Sequence, residues 1–151
     1  DATYHGPGQL VGYPIFDIKA RHGRSIKSFV DKLESVFINY LNQTYQLPAQ
    51  RSEVNAGVWI GDSKITAIGL AVKRGVTFHG FAFNINTNLD HYQYIVPCGL
   101  VGKSVTSLSE LLDGPVNFDS VADAISQAFV GLYGFEEKRE LSLEQLEALL
   151  R

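Results

Sequence analysis

Methionine is absent from the 151-residue chain, and cysteine occurs once, at Cys98. A lone cysteine excludes an intrachain disulfide and any Cys-rich metal framework, so the chain reads as intracellular or at least tolerant of a reducing compartment. The four histidines, His5, His22, His79 and His91, show no His-Glu-x-x-His or comparable ligand spacing, and nothing argues for a metal. Basic blocks are missing too: 13 Lys and Arg against 16 Asp and Glu give a formal charge of -3, which supplies no reason to expect nucleic acid as a partner. No apolar run approaches the roughly 18 residues that a membrane span needs, so a soluble protein without a membrane partner is expected. Gly102-Lys103-Ser104 lacks the upstream glycines of a phosphate-binding loop. No signal-like segment is visible, and the first residues, Asp1 to Gly8, read as the middle of a structured element. We therefore expect the natural chain to carry further N-terminal residues, with any targeting peptide among them.

What is present fits one domain of 16.7 kDa, long enough to bury a substantial core. Leu10 to Ile18 is strand-like, with Pro14 pointing to an edge position or a bulge. After a turn at Arg21-His22-Gly23-Arg24, apolar residues at 26, 29, 30, 33, 37, 40 and 41 recur every three or four positions, predicting a long amphipathic helix capped by Ser25. Gly57 to Ile60 and Lys64 to Val72 read as strands joined by a tight turn, and Val76 to Asn86 as a third after Lys73-Arg74-Gly75. Ser107 and Glu110 have capping-box spacing before a short helix. A helix from Asp119 to about Leu132 follows, and Ser142 with Gln145 opens a last one, Leu141 and Leu146 being placed as a hydrophobic staple. Strands joined by hairpins with helices at the end predict an α+β fold with a mixed or mainly antiparallel sheet.

Chemistry-bearing residues are few. Cys98 stands in Ile95-Val-Pro-Cys-Gly-Leu-Val-Gly102, where Pro97 fixes the backbone and Gly99 admits a close approach. It reads either as a buried filler or as a nucleophile, and the second needs a cationic neighbour, because a free thiol near pKa ~8.5 is mostly protonated at neutral pH. Lys64, immediately after a turn, is either a solvated residue closing a hairpin or an ammonium directed into a cleft. His79 shares a strand face with Thr77, Phe81 and Phe83 and reads as a core histidine or a site residue. His5 opens His-Gly6-Pro-Gly8-Gln, a punctuated loop able to wrap a ligand with its backbone, though a plain turn explains it as well. Asp119, Glu136, Glu137, Glu140, Glu144 and Glu147 read as solvated faces and not as an acid–base pair. The many aromatics, among them Tyr4, Tyr13, Phe78, Tyr92 and Tyr94, suit a core or an apolar acyl tunnel equally.

Three segments in order resemble one family: Thr3-Tyr-His-Gly-Pro-Gly-Gln-Leu-Val-Gly-Tyr-Pro; Gly57-Val-Trp-Ile with Lys64-Ile-Thr-Ala-Ile-Gly and Thr77-Phe-His-Gly-Phe-Ala-Phe-Asn; and Ile95-Val-Pro-Cys-Gly with Val105-Thr-Ser-Leu-Ser. The resemblance, over nearly the whole chain, is to the lipoyl(octanoyl) transferases. It implies a fold of the lipoate/biotin protein ligase type, no cofactor, and transfer of an octanoyl group from acyl carrier protein to a lysine of a lipoyl domain. Acceptors would be the lipoyl domains of 2-oxoacid dehydrogenase complexes and the glycine cleavage H protein, in cytoplasm for a bacterium or in mitochondrion or plastid for a eukaryote. On that resemblance Cys98 is the acyl-accepting nucleophile and Lys64 its catalytic partner. His5, Gly6, Gly8, Tyr13, Ala67, Ile68, Gly69, His79, Gly80, Ala82, Asn84 and Gly99 are substrate-binding residues, with backbone amides of the Lys64–Gly69 strand and the Cys98–Gly99 loop suited to an oxyanion. The family's usual Ala-Leu-Asn is Ala82-Phe83-Asn84 here, and its arginine followed by paired glycines would fall ahead of Asp1. Burying seven methylenes at ~0.8 kcal/mol each would supply several kcal/mol toward holding the acyl chain. Two rivals share the scaffold: an ATP-dependent lipoate- or biotin-type protein ligase, which does not need Cys98, and a carrier-binding module without chemistry.

Overall fold

The computed structural model describes residues 4–18, 25–53, 55–94, 103–136 and 138–149. The turn expected at 21–24 and the loop through Pro97, Cys98, Gly99 and Gly102 lie outside them. Among the described residues six strands form one sheet in the order β1 (Gln9–Gly12), β5 (Val76–Asn84), β4 (Ser63–Lys73), β3 (Gly57–Ile60), β2 (Ala49–Arg51), with β6 (Ser104–Val105) beside β4. Every pairing along this path is antiparallel, and of the described strands β6 alone runs parallel to its neighbour.

The hairpin between β4 and β5 is built as its sequence predicts, with Arg74 and Gly75 both at positive φ and eight consecutive register pairs from Thr66↔Phe83 to Lys73↔Val76. β1 occupies the sheet edge expected from Pro14, but its pairing stops at Gly12, and the chain returns to the sheet around an isolated bridge of Asp17 opposite Val76, where the Thr77 N–H donates to the Phe16 carbonyl and the Ile18 N–H to the Gly75 carbonyl. Two strands carry no pattern that sequence reading could find, β2 with three residues and β6 with two. A 3₁₀ helix at Leu89–Tyr94 was likewise not expected.

The long helix α1 (Ile26–Tyr45) is capped by Ser25, whose Oγ accepts the Ser28 N–H at 3.1 Å. After the short α2 (Leu108–Leu111), α3 (Phe118–Tyr133) begins at the Asn117 cap, and α4 (Leu143–Leu149) opens with a reciprocal capping box between Ser142 and Gln145. At α2 half of the predicted box forms. Ser107 accepts the Glu110 N–H, while the Glu110 carboxylate accepts instead from the Thr106 hydroxyl at 2.6 Å.

α1 and α3 cover one face of the sheet. Phe37 of α1 meets Phe81 and Phe83 of β5 at ring distances of 4.8 and 5.4 Å, and Phe81 stacks on Phe129 of α3. Side chains alternate across a strand, so this core claims Val58, Phe81 and Phe83, and their neighbours in the strands are turned to the opposite face. Glu34, buried on α1, pins the start of β3 by accepting the Gly57 N–H at 2.9 Å and the Arg51 Nε–H at 3.0 Å.

Candidate active site

The face turned away from the helices is paved with small residues. Gly57, Ala67, Ala82 and Val11 are register partners in one row across β3, β4, β5 and β1, and Gly69 lies opposite Gly80 in the next row. Their backbones form a low floor about four strands wide, at ~4.8 Å per strand.

Lys64 rises at one end of this floor. A register shift between Val58 and Trp59 sets Lys64 opposite Trp59, so both side chains share the face away from the core. The lysine is 9% exposed and its Nζ lies 4.8 Å from the centroid of the Trp59 ring. Gly57, at φ 136°, leaves room for the lysine stem: a Cβ there would stand 3.4 Å from its Cε and 2.5 Å from the Thr66 carbonyl oxygen. Lys64 is thus held on its own strand pair, and the solvated hairpin lysine is set aside by its burial. The same indole carries a second ammonium, Lys103 Nζ at 5.3 Å, which also binds Asp62 at 2.8 Å and holds that carboxyl below its ordinary range. Lys103 follows directly on the segment that contains Cys98.

A polar chain occupies the adjoining corner. His5 Nδ1 lies 2.9 Å from Gln9 Oε1, Gln9 Nε2 donates to Asn84 Oδ1 at 2.9 Å and to the Tyr92 hydroxyl at 3.1 Å, and Asn84 Nδ2 donates to the Thr106 carbonyl at 3.0 Å. The Thr106 N–H in turn donates to the Lys64 carbonyl at 3.0 Å, so the chain of bonds ends on the lysine's own strand. Burial raises the Tyr92 phenol above its ordinary value and keeps it neutral. Gln9, Tyr92 and Trp59 carried no sequence signal of a role; Gln9 meets Asn84 and Tyr92 from more than seventy residues away, and Trp59 is set against Lys64 by the register shift.

A buried ammonium, a floor of small side chains and a fixed polar corner suit an elongated apolar substrate with one reactive carbonyl end. Residues 1–130 match the family model described as the lipoyl protein ligase A/B catalytic domain. The chain belongs to that family. An octanoyltransferase of Caldicellulosiruptor saccharolyticus is 51% identical to this catalytic domain over 152 aligned residues, covering 100% of this chain and 64% of the relative, so the chain spans under two thirds of that protein's length. Among solved structures, a bipartite lipoate protein ligase from Thermoplasma acidophilum superposes with a TM-score of 0.70 at 21% identity, covering 97% of this chain and 59% of the other. A biotin protein ligase from Aquifex aeolicus gives 0.66 at 13%, covering 84% and 53%. At these identities the structures speak to fold alone. The domain therefore has the α+β, mainly antiparallel architecture that its strand and hairpin pattern predicts, in the lipoate and biotin protein ligase form that the resemblance implies.

Within this domain the residues singled out from sequence separate into groups. Lys64, Ala67, Gly69, Ala82 and Asn84 meet on or beside the floor, with His5 joined to Asn84 through Gln9. Ile68, on the other face, packs against the helix-side core. Gly6 is hemmed in by Tyr4, and Gly8, at φ 78°, accepts the Ile85 and Asn86 N–H groups through its carbonyl, a close approach that shapes the loop. Gly80 has no free space over it, since a Cβ would stand 1.9 Å from the Gly12 carbonyl oxygen, whereas a Cβ on Gly69 would meet nothing within 4 Å. His79 is exposed, at φ 61°, and pairs with Leu70, six positions and about 20 Å along β4 from Lys64 at ~3.3 Å per residue. Tyr13 is 58% exposed and borders an apolar groove of about 630 Å³ between the end of β1 and α3, away from the Lys64 corner. Cys98 and Gly99 lie outside the described residues. Among the described residues no group of three metal-ligating side chains occurs and no helix is long and apolar enough to cross a membrane.

Proposed function

We propose that the protein is an octanoyltransferase that carries an octanoyl group from acyl carrier protein to a lipoyl-domain lysine through a thioester on Cys98. The observation that carries the reading is the burial of Lys64 over Trp59 at the end of a side-chain-poor floor. The 51% identity to an octanoyltransferase along the whole chain supports the choice of acyl group and partners.

The Lys64 ammonium favours a thiolate over a thiol at Cys98. The Cys98 sulfur attacks the thioester carbonyl of the donor, a C–S bond forms, and collapse of the tetrahedral adduct breaks the bond to the phosphopantetheine sulfur, which leaves and takes up a proton. The acyl chain lies along Ala67, Gly69 and Ala82. The neutral amine of the incoming lysine then attacks the acyl-cysteine, a C–N bond forms, the C–S bond breaks, the amine proton passes to a site base, and Cys98 returns as thiolate. Backbone amides after Lys64 and at Cys98–Gly99 are the donors for the oxyanion in both halves. The acceptors are the lipoyl domains of 2-oxoacid dehydrogenases and the glycine cleavage H protein, and the compartment follows the source organism.

The test is transfer of radiolabelled octanoate from carrier protein to a lipoyl domain by the full chain, with and without ATP. Transfer without ATP that is lost in C98S is the expected result. A strict ATP requirement with free octanoate or lipoate as donor overturns the transferase in favour of a ligase, and no transfer under any condition leaves a carrier-binding module.

A further inference from the structure

We propose that Gln9 and Asn84 are positioning residues that lock the exposed His5 as the Nδ1–H tautomer, so that its Nε2 carries the lone pair and serves as a proton acceptor at the outer end of the polar chain that leads to the Lys64 strand. The inference deepens the transferase reading and rests on it for its purpose, though not for its chemistry.

The chain of hydrogen bonds has a direction imposed at one end. The Thr106 carbonyl can only accept, so the Asn84 atom 3.0 Å from it is the amide nitrogen, and Asn84 Oδ1 faces Gln9. An oxygen there requires a donor from Gln9, which puts Gln9 Nε2 at 2.9 Å and leaves Gln9 Oε1 facing His5. That oxygen can only accept, so the imidazole nitrogen 2.9 Å from it, Nδ1, carries the hydrogen, and in the neutral ring the lone pair falls to Nε2. Tyr92 reinforces the order: its hydroxyl accepts from Gln9 Nε2 at 3.1 Å and donates to Asn84 Oδ1 at 3.2 Å. Gln9 and Asn84 are 7% and 3% exposed, so water does not offer them an alternative partner.

The consequence is specific, because an imidazole free in water prefers its hydrogen on Nε2. The incoming lysine reaches a neutral-pH site as an ammonium and must lose a proton before it attacks the acyl-cysteine. Nε2 of His5 accepts that proton, the imidazolium being held through Nδ1–H on Gln9, and releases it to solvent after transfer. Titratable and charged groups around the corner are Tyr92 and His91 of the 3₁₀ helix, Tyr4 before His5, Lys64 on β4 and Glu110 of α2 through Thr106.

Long-range ¹H–¹⁵N correlation of the histidine rings above their titration, with His5 assigned by H5Q, reads the tautomer directly. The wild-type chain is expected to show His5 with a protonated Nδ1, Q9L to revert it to the Nε2–H form, and N84A to give a mixture, with amide spectra verifying the fold of each variant. Acceptor-step turnover is expected to fall about tenfold or more in Q9L, while acylation of Cys98 is little changed. A wild-type His5 in the Nε2–H form, or a tautomer indifferent to Q9L, overturns the proposal. A wild type with the Nδ1–H tautomer that acylates no lipoyl domain with or without ATP sinks the transferase reading and leaves the relay standing, so the two failures are told apart.

Discussion

At the scale of single residues the proposed site turns on Lys64 and the ring beneath it. A lysine that loses water regains part of the loss from the face of an indole, at about 2 kcal/mol for a desolvated pair. W59F, which keeps a π face, is expected to retain most activity, while W59L is expected to lower octanoyl transfer about tenfold and to increase labelling of Lys64 by acetic anhydride, measured by peptide mass mapping. If labelling of Lys64 is unchanged in W59L, the ring does not hold the lysine. K64M keeps the length of the side chain and removes the charge, and a loss of about 10²-fold or more in kcat/KM is expected. Two glycines facing each other across β4 and β5 should part company under the same substitution. G69A places its methyl in open space on the floor, and the expected outcome is a Tm within about 2 °C of wild type with a raised KM for octanoyl donors. G80A drives a methyl against the Gly12 carbonyl at 1.9 Å and is expected to lower the Tm whatever the substrate.

At the scale of elements, the helices and long strands were legible because their burial is periodic along the chain. The three- and four-residue spacing from Ile26 to Leu41 needs one flank to be apolar, and α1 buries Phe29, Leu33, Phe37 and Leu41 there. β2 and β6 were not legible because two or three residues contain no period, and they are strands only by virtue of what they lie beside. Of the candidate site, Lys64 was reached through a motif of the family resemblance, whereas the register shift that turns Trp59 toward Lys64 and the bonds from Gln9 to Asn84 across the sheet leave no local trace. Cys98, the residue on which the proposed chemistry rests, was reached through resemblance to a family. Glu34 ties these elements together, since it holds Gly57 beside the lysine stem while pairing with Arg51. E34A strands the buried Gly57 N–H and is expected to cost about 2 kcal/mol, or roughly 4–8 °C in Tm for a chain of this length by differential scanning calorimetry. An unchanged Tm would show that α1 does not anchor β3 through this carboxylate.

At the scale of the whole molecule, one face of the sheet is given to the core and the other is left for the proposed chemistry. The helix side packs a run of rings from Phe37 through Phe81 and Phe129 to Tyr133, and the opposite side leaves Gly and Ala under an open floor. Tyr133 within that core, Tyr40 bonded to Tyr45, and Tyr92 in the polar corner all have phenols raised above the ordinary value, by burial first. Each phenol costs nothing in stability while neutral in both states. Above about pH 10 the unfolded chain ionises and the folded one resists, so stability is complete below that pH and falls as pH rises beyond it. Urea unfolding between neutral pH and pH 11 should therefore weaken above about pH 10, and Y133F should reduce the slope of that decline. A decline of equal slope in Y133F would place the alkaline sensitivity elsewhere.

The central proposal is a covalent acyl-enzyme on Cys98 with Lys64 as its partner, and the intact mass of the full chain after mixing with octanoyl-carrier protein in the absence of ATP tests it most directly. One added octanoyl group, located on Cys98 by peptide mapping, absent from C98S and discharged by a lipoyl domain, is the predicted result. A wild-type mass that does not change with a competent donor, or an octanoyl group that forms equally well on C98S, would contradict it.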